Sequence, residues 1–413
     1  MKQKISYNAI SNVIIYLVVL MTIFINSSMI TRDVRYNLPA TLLYILLFGG
    51  CIIQTIIQLL RGGTAAKKIY VEIFVICVVV ILTAISVTGN GVANGIVFIV
   101  VPMILFLLLF SNYDDMQCYW IAFSNIMVIV AIVSLLFYFL GSVFNIIKPS
   151  GIATFLYDGT YRTCKTYYGI QYEAQTAQTV TILGRYRNCS FFIEAPMYCA
   201  MLLYALFSEI AFRTEIRKFN VIVLTVAIVT TLTTTGIIVI VALIIVRILT
   251  ADSITRNSYI KIIAIPGLFL IGILVFEYVL QFKLSSSAGI GSYNVRLDHM
   301  IACLKMWLRR PFFGYGYDAD DVFYGFTRYR QGMSIGLLDF LARFGVLSFF
   351  LYIIPWGVCV YITVKRKDKR IYYLVGSFIT LFMTAIAERP IMLATIGTQV
   401  AMLVKFQTLK KEQ

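Results

Sequence analysis

The chain has 413 residues, 60% of them hydrophobic and only 13% charged, with a mean hydropathy of +0.87 and a formal charge of +16. A composition this apolar excludes an ordinary soluble domain. Runs long enough to cross a bilayer, rather than domain-sized units, organise the sequence.

In chain order the apolar runs fall at about 10–30, 38–60, 69–88, 93–110, 118–141, 191–211, 219–234, 236–250, 260–281, 345–364, 371–387 and 390–404. The expected architecture is an all-α, polytopic transmembrane helix bundle of about 12 spans, forming one integral membrane domain over 1–413. The first run is long, lacks a small-residue cleavage site and is followed almost at once by a second, so it reads as a span and not as a cleaved leader. The pair at 219–250 is split only by Thr233-Thr234-Thr235-Gly236, and one long tilted helix is the alternative there.

Lysine and arginine placement sets the orientation. With the N-terminus inside, 19 of the 35 basic residues fall on the inner side, nearly all in short loops, and "KRKDKR" at 365–370 is among them. The short outer loops carry Arg32, Arg35 and Arg389. Both termini are therefore expected in the cytoplasm. Two outer loops are long, 142–190 and 283–333. Long loops cross regardless of charge, so their basic residues need another reason. An outward basic surface suits an anionic lipid headgroup or a phosphorylated substrate, and nucleic acid is not an expected partner on that side.

The first long loop ends in "GRYRNCSFFIEAPMYCAMLLYALF" (184–207), which places Arg185, Arg187 and Glu194 at the mouth of a span. A carboxylate at membrane depth is expensive and marks either function or a buried pair, here with Arg187. Upstream, "YDGTYRTCKTYYGIQYEAQTAQT" (157–179) is rich in Tyr, Thr and Gln, a composition that suits sugar rings and an interfacial aromatic belt equally. In the second loop Leu297, Met300, Ile301, Leu304 and Leu308 share one helical face, with Trp307 at its edge. Arg296, His299 and Arg310 lie within an arc of roughly 60° beside that face. The pattern predicts an amphipathic helix lying on the outer leaflet or packed on the bundle. Arg296 and Arg310 would stand about 21 Å apart on one helix, too far to share a pyrophosphate. Arg309 and Arg310, with Arg328 and Arg330 returning in the same loop, make the tighter cluster.

That helix runs into "MWLRRPFFGYGYDADD" (306–321). A Gly-Tyr-Gly without a preceding strand and a following helix is no phosphate loop. Asp318, Asp320 and Asp321 read as a cation-chelating turn or as a solvated acidic turn balancing Arg309 and Arg310. Asp318-Ala-Asp320 also resembles the Asp-x-Asp with which many glycosyltransferases hold a metal and a nucleotide sugar, but nucleotide sugars are cytoplasmic. The eight cysteines form no disulfide framework and are expected as free thiols packed as small apolar groups.

Four landmarks appear in order between about 180 and 390: "RNCSFFIEAP", "TLTTTG", "RLDHMIACLKMWLRRPFFGYGYD" and "LLDFLARFGVLSFF". In order and placement they resemble the bacterial O-antigen polymerase and ligase superfamily of membrane glycosyltransferases. The resemblance implies a substrate that is an oligosaccharide carried on undecaprenyl pyrophosphate at the outer face of the cytoplasmic membrane. It also implies arginines on the pyrophosphate leaving group, no metal or other cofactor, and partners such as a chain-length regulator and a flippase. Arg187, Arg296, Arg309, Arg310, Arg328 and Arg330 are the matching substrate-binding candidates, and Glu194, Asp318, Asp320, Asp321 and His299 the candidates for the base. The ligase histidine is missing: the corresponding place is near Ser334, and His299, the only histidine, lies outside that motif. A polymerase is thus expected ahead of a ligase. A lipid-linked oligosaccharide flippase is the competing class, although transporters bind near the bilayer midplane, where this sequence has little polarity.

Overall fold

The computed structural model describes residues 2–26, 28–36, 38–60, 82, 88–89, 91–157, 160–181, 184–250, 277, 281, 287–329, 335–384 and 389–411. The expected spans 69–88 and 260–281 lie outside these residues but for single positions, as do Arg330 and the stretch around Ser334. The described chain is mostly helical. Among the described residues four helices are long and apolar enough to cross a membrane: α2 (Ala40–Leu60), α3 (Val92–Leu109), α4 (Tyr113–Val143) and α10 (Gly336–Lys365). Further apolar helices accompany them: α1 (Lys2–Ile25), α5 (Ala195–Ala211), α6 (Lys218–Thr230), α7 (Thr234–Thr250), α11 (Ile371–Met383) and α12 (Pro390–Lys411). Large apolar side chains such as Ile45, Leu59, Ile129 and Ile354 remain exposed along these helices. That is the surface of a membrane-associated protein and not of a soluble one.

Helix α5 is the centre. Every residue from Tyr198 to Glu209 is buried, as expected of a helix apolar all round. It packs against α4, α6, α7 and α11. Trp120 of α4 ties this core together. Its ring stacks on Tyr204 at 5.8 Å and meets Tyr373 edge-on at 5.0 Å. Its indole N–H donates to Thr398 Oγ1 of α12 at 2.7 Å.

The 219–250 run forms two helices, not one. Leu232 takes the left-handed conformation (φ 50°). The Thr230 and Thr231 hydroxyls donate back to the carbonyls of Ala227 and Ile228, a competition with the helix that Thr is suited to. Thr233 Oγ1 then caps α7 by accepting from Gly236 N at 3.2 Å.

The all-α expectation is corrected in the first long loop. Strands β1 (Gly151–Tyr157), β2 (Thr160–Tyr167) and β3 (Gln171–Tyr172) form one antiparallel sheet, and β4 (Thr176–Thr181) pairs with β5 (Gly184–Tyr186). Register runs from Gly151 opposite Thr166 to Tyr157 opposite Thr160. One face of the hairpin buries Ala153, Phe155 and Cys164 against Met29, Tyr172 and Ile193. The strands are too short and too rich in tyrosine to stand out beside the apolar runs.

In the second loop, α8 (Ser287–Arg309) is the predicted helix, but a different face meets the protein. His299, Ala302, Cys303 and Met306 are buried, whereas Leu297, Ile301 and Leu308 are exposed. The Leu/Ile stripe therefore covers no protein core among the described residues. Asp298 pins the returning chain by accepting from Thr327 Oγ1, Arg328 N and Tyr329 N at 2.5, 2.7 and 3.3 Å.

Helix α10 is broken at Gly345 (φ 71°, ψ 178°). The segment Pro311–Gly316 fills the break with main chain: Tyr315 N and Gly316 N donate to Arg343 O at 3.0 and 2.8 Å, and Val346 N donates to Pro311 O at 2.8 Å. A Cβ on Gly345 would stand 2.1 Å from Phe312 O, and one on Gly314 would stand 2.3 Å from Arg343 O. The glycines of "PFFGYGYD" and "ARFG" thus serve one backbone-to-backbone contact.

Gly345→Ala should abolish recovery of monodisperse folded protein in detergent, because it adds a steric overlap to a conformation that costs a non-glycine residue about 1–3 kcal/mol. Gly357→Ala in the same helix, where an added Cβ meets nothing within 4 Å, should elute and melt like the parent. Similar elution profiles for both variants would refute this account of the break.

Candidate anion-binding site

The two long loops meet where the chain enters α5. Arg187 follows β5, and its placement is set from both sides. Its main-chain N–H donates to Gln175 O at 3.0 Å. Its Nε donates to Thr231 O at 2.9 Å, and its Nη1 makes a longer bond of 3.4 Å to Gln175 Oε1. The carbonyl it takes is one left open by the break between α6 and α7. The next residue repeats the link: Asn188 N donates to Thr230 O at 3.1 Å and Asn188 Nδ2 to Thr230 Oγ1 at 3.0 Å.

Glu194 is the N-cap of α5, in extended conformation ahead of Pro196. Its Oε1 accepts from Tyr157 O–H at 2.5 Å. Tyr157 ends β1, at the tip of the hairpin, and the Arg162 guanidinium lies over its ring at 4.2 Å. From the other loop α8 brings Arg296, close enough to Arg187 and Glu194 to feel both charges. Burial depresses the Arg296 pKa below the ordinary guanidinium range, the charge of Arg187 depresses it further, and Glu194 opposes both. Burial likewise lowers Arg187, with Glu194 opposing. Among the described residues Arg296 has no hydrogen-bond or ion-pair partner. Among the described residues, two partly desolvated guanidiniums thus share the field of one carboxylate, an excess of positive charge.

The other predicted arginines lie elsewhere. Helix α8 is continuous between Arg296 and Arg309, which separates them by about 20 Å. Arg309 stacks over Phe326 at 4.6 Å and Arg310 over Tyr315 at 4.8 Å, and both are exposed. Arg328 is exposed at the return of the loop, and Arg330 falls outside the described residues. The structure brings Arg296 within electrostatic reach of Arg187 and leaves Arg309 and Arg310 on aromatic rings.

The three aspartates do not balance Arg309 and Arg310. Asp318 accepts from Asn94 Nδ2 at 3.0 Å. Asp320, which opens the short helix α9 (Asp320–Tyr324), pairs with Arg343 at 2.6 Å, and Asp321 is exposed. Asp318 and Asp320 are committed to different partners, and among the described residues no group of three or more His, Cys, Asp or Glu comes together. His299 is fully buried against Phe323 at 5.0 Å and lies 3.4 Å from Tyr329 O. Burial keeps its imidazole below the ordinary pKa range, and it packs on the buried face of α8.

Several residues were missed by sequence reasoning. Arg343 is a buried hub, bonded to Asp339 at 2.7 Å, to Asp320 and to the Tyr317 carbonyl. An acid and a base four apart in an apolar helix are a readable signal of such a pair. Tyr157 and Gln175 carried no signal beyond residue type. The seven described cysteines are free thiols, and all but Cys118 are buried.

Comparison with protein-family models, with curated proteins and with solved structures returns no match.

Arg343→Met strands a buried carboxylate on Asp339, and removing one partner of a buried pair costs about 3–5 kcal/mol. Asp320, 62% exposed at its side chain, should cost about 1 kcal/mol or less as Asn. Thermal unfolding in detergent should therefore rank Asp320→Asn near the parent and Arg343→Met far below it, with partial recovery in the double variant Arg343→Met, Asp339→Leu. Equal melting of the two single variants would remove Arg343 from the centre of this cluster.

Proposed function

We propose that the protein is a polysaccharide polymerase of the O-antigen polymerase and ligase type. It would transfer a growing glycan from undecaprenyl pyrophosphate onto the next lipid-linked repeat unit at the outer face of a bacterial cytoplasmic membrane. The observation that supports this most is that Arg187 and Arg296, from different loops, lie within electrostatic reach of each other and of Glu194. A partly desolvated pair of like charges asks for a polyvalent anion, and a guanidinium offers two parallel donors to phosphate oxygens.

In this reading the pyrophosphate sits on Arg296 and on the remaining terminal nitrogen of Arg187. An acceptor hydroxyl attacks the anomeric carbon, the bond from that carbon to the pyrophosphate oxygen breaks, and the electron pair leaves on the pyrophosphate. Fixed cations stabilise that developing charge. Glu194, held by Tyr157, orients the arginines and takes the hydroxyl proton. The exposed Leu/Ile stripe of α8 lies in the outer leaflet, which brings the loop to the depth of the lipid headgroup. About 12 spans, cytoplasmic termini, and a flippase and chain-length regulator as partners belong to the same proposal.

Purified protein given its lipid-linked repeat unit should yield a ladder of products. Arg296→Ala and Arg187→Ala should each slow the ladder about 10- to 100-fold, the worth of one charge-assisted hydrogen bond. Arg296→Lys should not restore the rate, and Arg310→Ala should cost less than about threefold. No ladder from the parent would favour transport, and equal losses from Arg310 and Arg296 would displace the proposed pocket.

Orientation has its own test. Cysteines at Tyr161 and Lys367, both exposed, should differ in intact cells: an impermeant maleimide should label Tyr161→Cys and not Lys367→Cys. The reverse pattern would invert the topology.

A further inference from the structure

We propose that Gln175 is the positioning residue of the anion site, an uncharged clamp that fixes Arg187 without neutralising it. The inference rests on the pyrophosphate reading above. Gln175 holds Arg187 twice, through its main-chain carbonyl to Arg187 N at 3.0 Å and through Oε1 to Nη1 at 3.4 Å. The same Oε1 accepts from Ala195 N at 3.1 Å. Ala195 is the first residue of α5, so one amide oxygen ties the guanidinium to the start of the central helix. The second fixed point is Thr231 O, which accepts from Arg187 Nε at 2.9 Å. Two anchored nitrogens define the plane of a guanidinium. Nη2, which has no acceptor among the described residues, is then aimed in one direction.

Both anchors are neutral. Arg343 shows the opposite arrangement, with two carboxylates and a carbonyl on one guanidinium. There the cation is consumed in holding the fold together. At Arg187 the acceptors are an amide and a peptide carbonyl, and Glu194 acts through space. The positive charge is thus preserved for a ligand. A carboxylate at position 175 could make the same two hydrogen bonds. It would also favour the N-terminus of α5 electrostatically and pair with Arg187, so it should suit the fold and harm the site.

That opposition makes the test. Full-length protein in nanodiscs is titrated with farnesyl pyrophosphate, and its unfolding temperature is measured alongside. Gln175→Glu should unfold at or above the parent's temperature yet bind the probe about 10- to 100-fold more weakly. Gln175→Ala should bind more weakly and also melt lower. Gln175→Glu that binds like the parent overturns the proposal. So does Gln175→Glu that melts lower as it loses affinity, since that pattern is a structural role alone. Arg296→Ala separates the two layers. If it binds farnesyl pyrophosphate as the parent does, the pyrophosphate reading falls and this inference with it. If it loses the probe while Gln175→Glu retains it, only the role of Gln175 falls.

Discussion

A helix that breaks inside an apolar bundle leaves carbonyl and N–H groups that lipid cannot satisfy, and this constraint arranges the rest of the molecule. There are breaks at Thr231–Thr233 and at Gly345. Each is closed by one of the two long loops. The first loop offers the guanidinium of Arg187 and the amide of Asn188 to the carbonyls of Thr231 and Thr230. The second offers the N–H groups of Tyr315 and Gly316 to Arg343 O, and takes Val346 N on Pro311 O. The loops are seated by the breaks they close, and so Arg187 and Arg296, 109 positions apart in the sequence, share one place.

The charges divide according to how fully each is matched. Arg343 is buried with three acceptors, two of them carboxylates, and losing Arg343 would leave the buried carboxylate of Asp339 without compensation. Asp298 is spent on three donors that hold the end of the second loop to α8. His299 is enclosed against Phe323. Arg296 differs from all of these. It is partly buried, repelled by Arg187 and without a protein acceptor among the described residues. An electrostatic arrangement that is poor for folding alone is the expected mark of a site that a ligand completes.

The sequence by itself determined the class. Apolar runs of fixed length, a break at Thr233-Thr234-Thr235-Gly236 and an amphipathic stretch after 287 are local patterns, readable because hydrophobic periodicity follows from helix geometry alone. The landmarks around Arg187, Glu194, Arg296 and Gly345 were also visible as residue types in order. Tertiary structure decided which face of α8 is buried, since Leu297 and Ile301 were free to turn either way until His299 and Met306 found a core. It decided that Asp320 belongs to Arg343 and not to Arg309 or Arg310. It also decided that Arg296 meets Arg187 while Arg310 stays on Tyr315. The reason is that charge pairing depends on distance in space, and the distance between two loops is set by the helix breaks each of them closes, a relation no local pattern encodes.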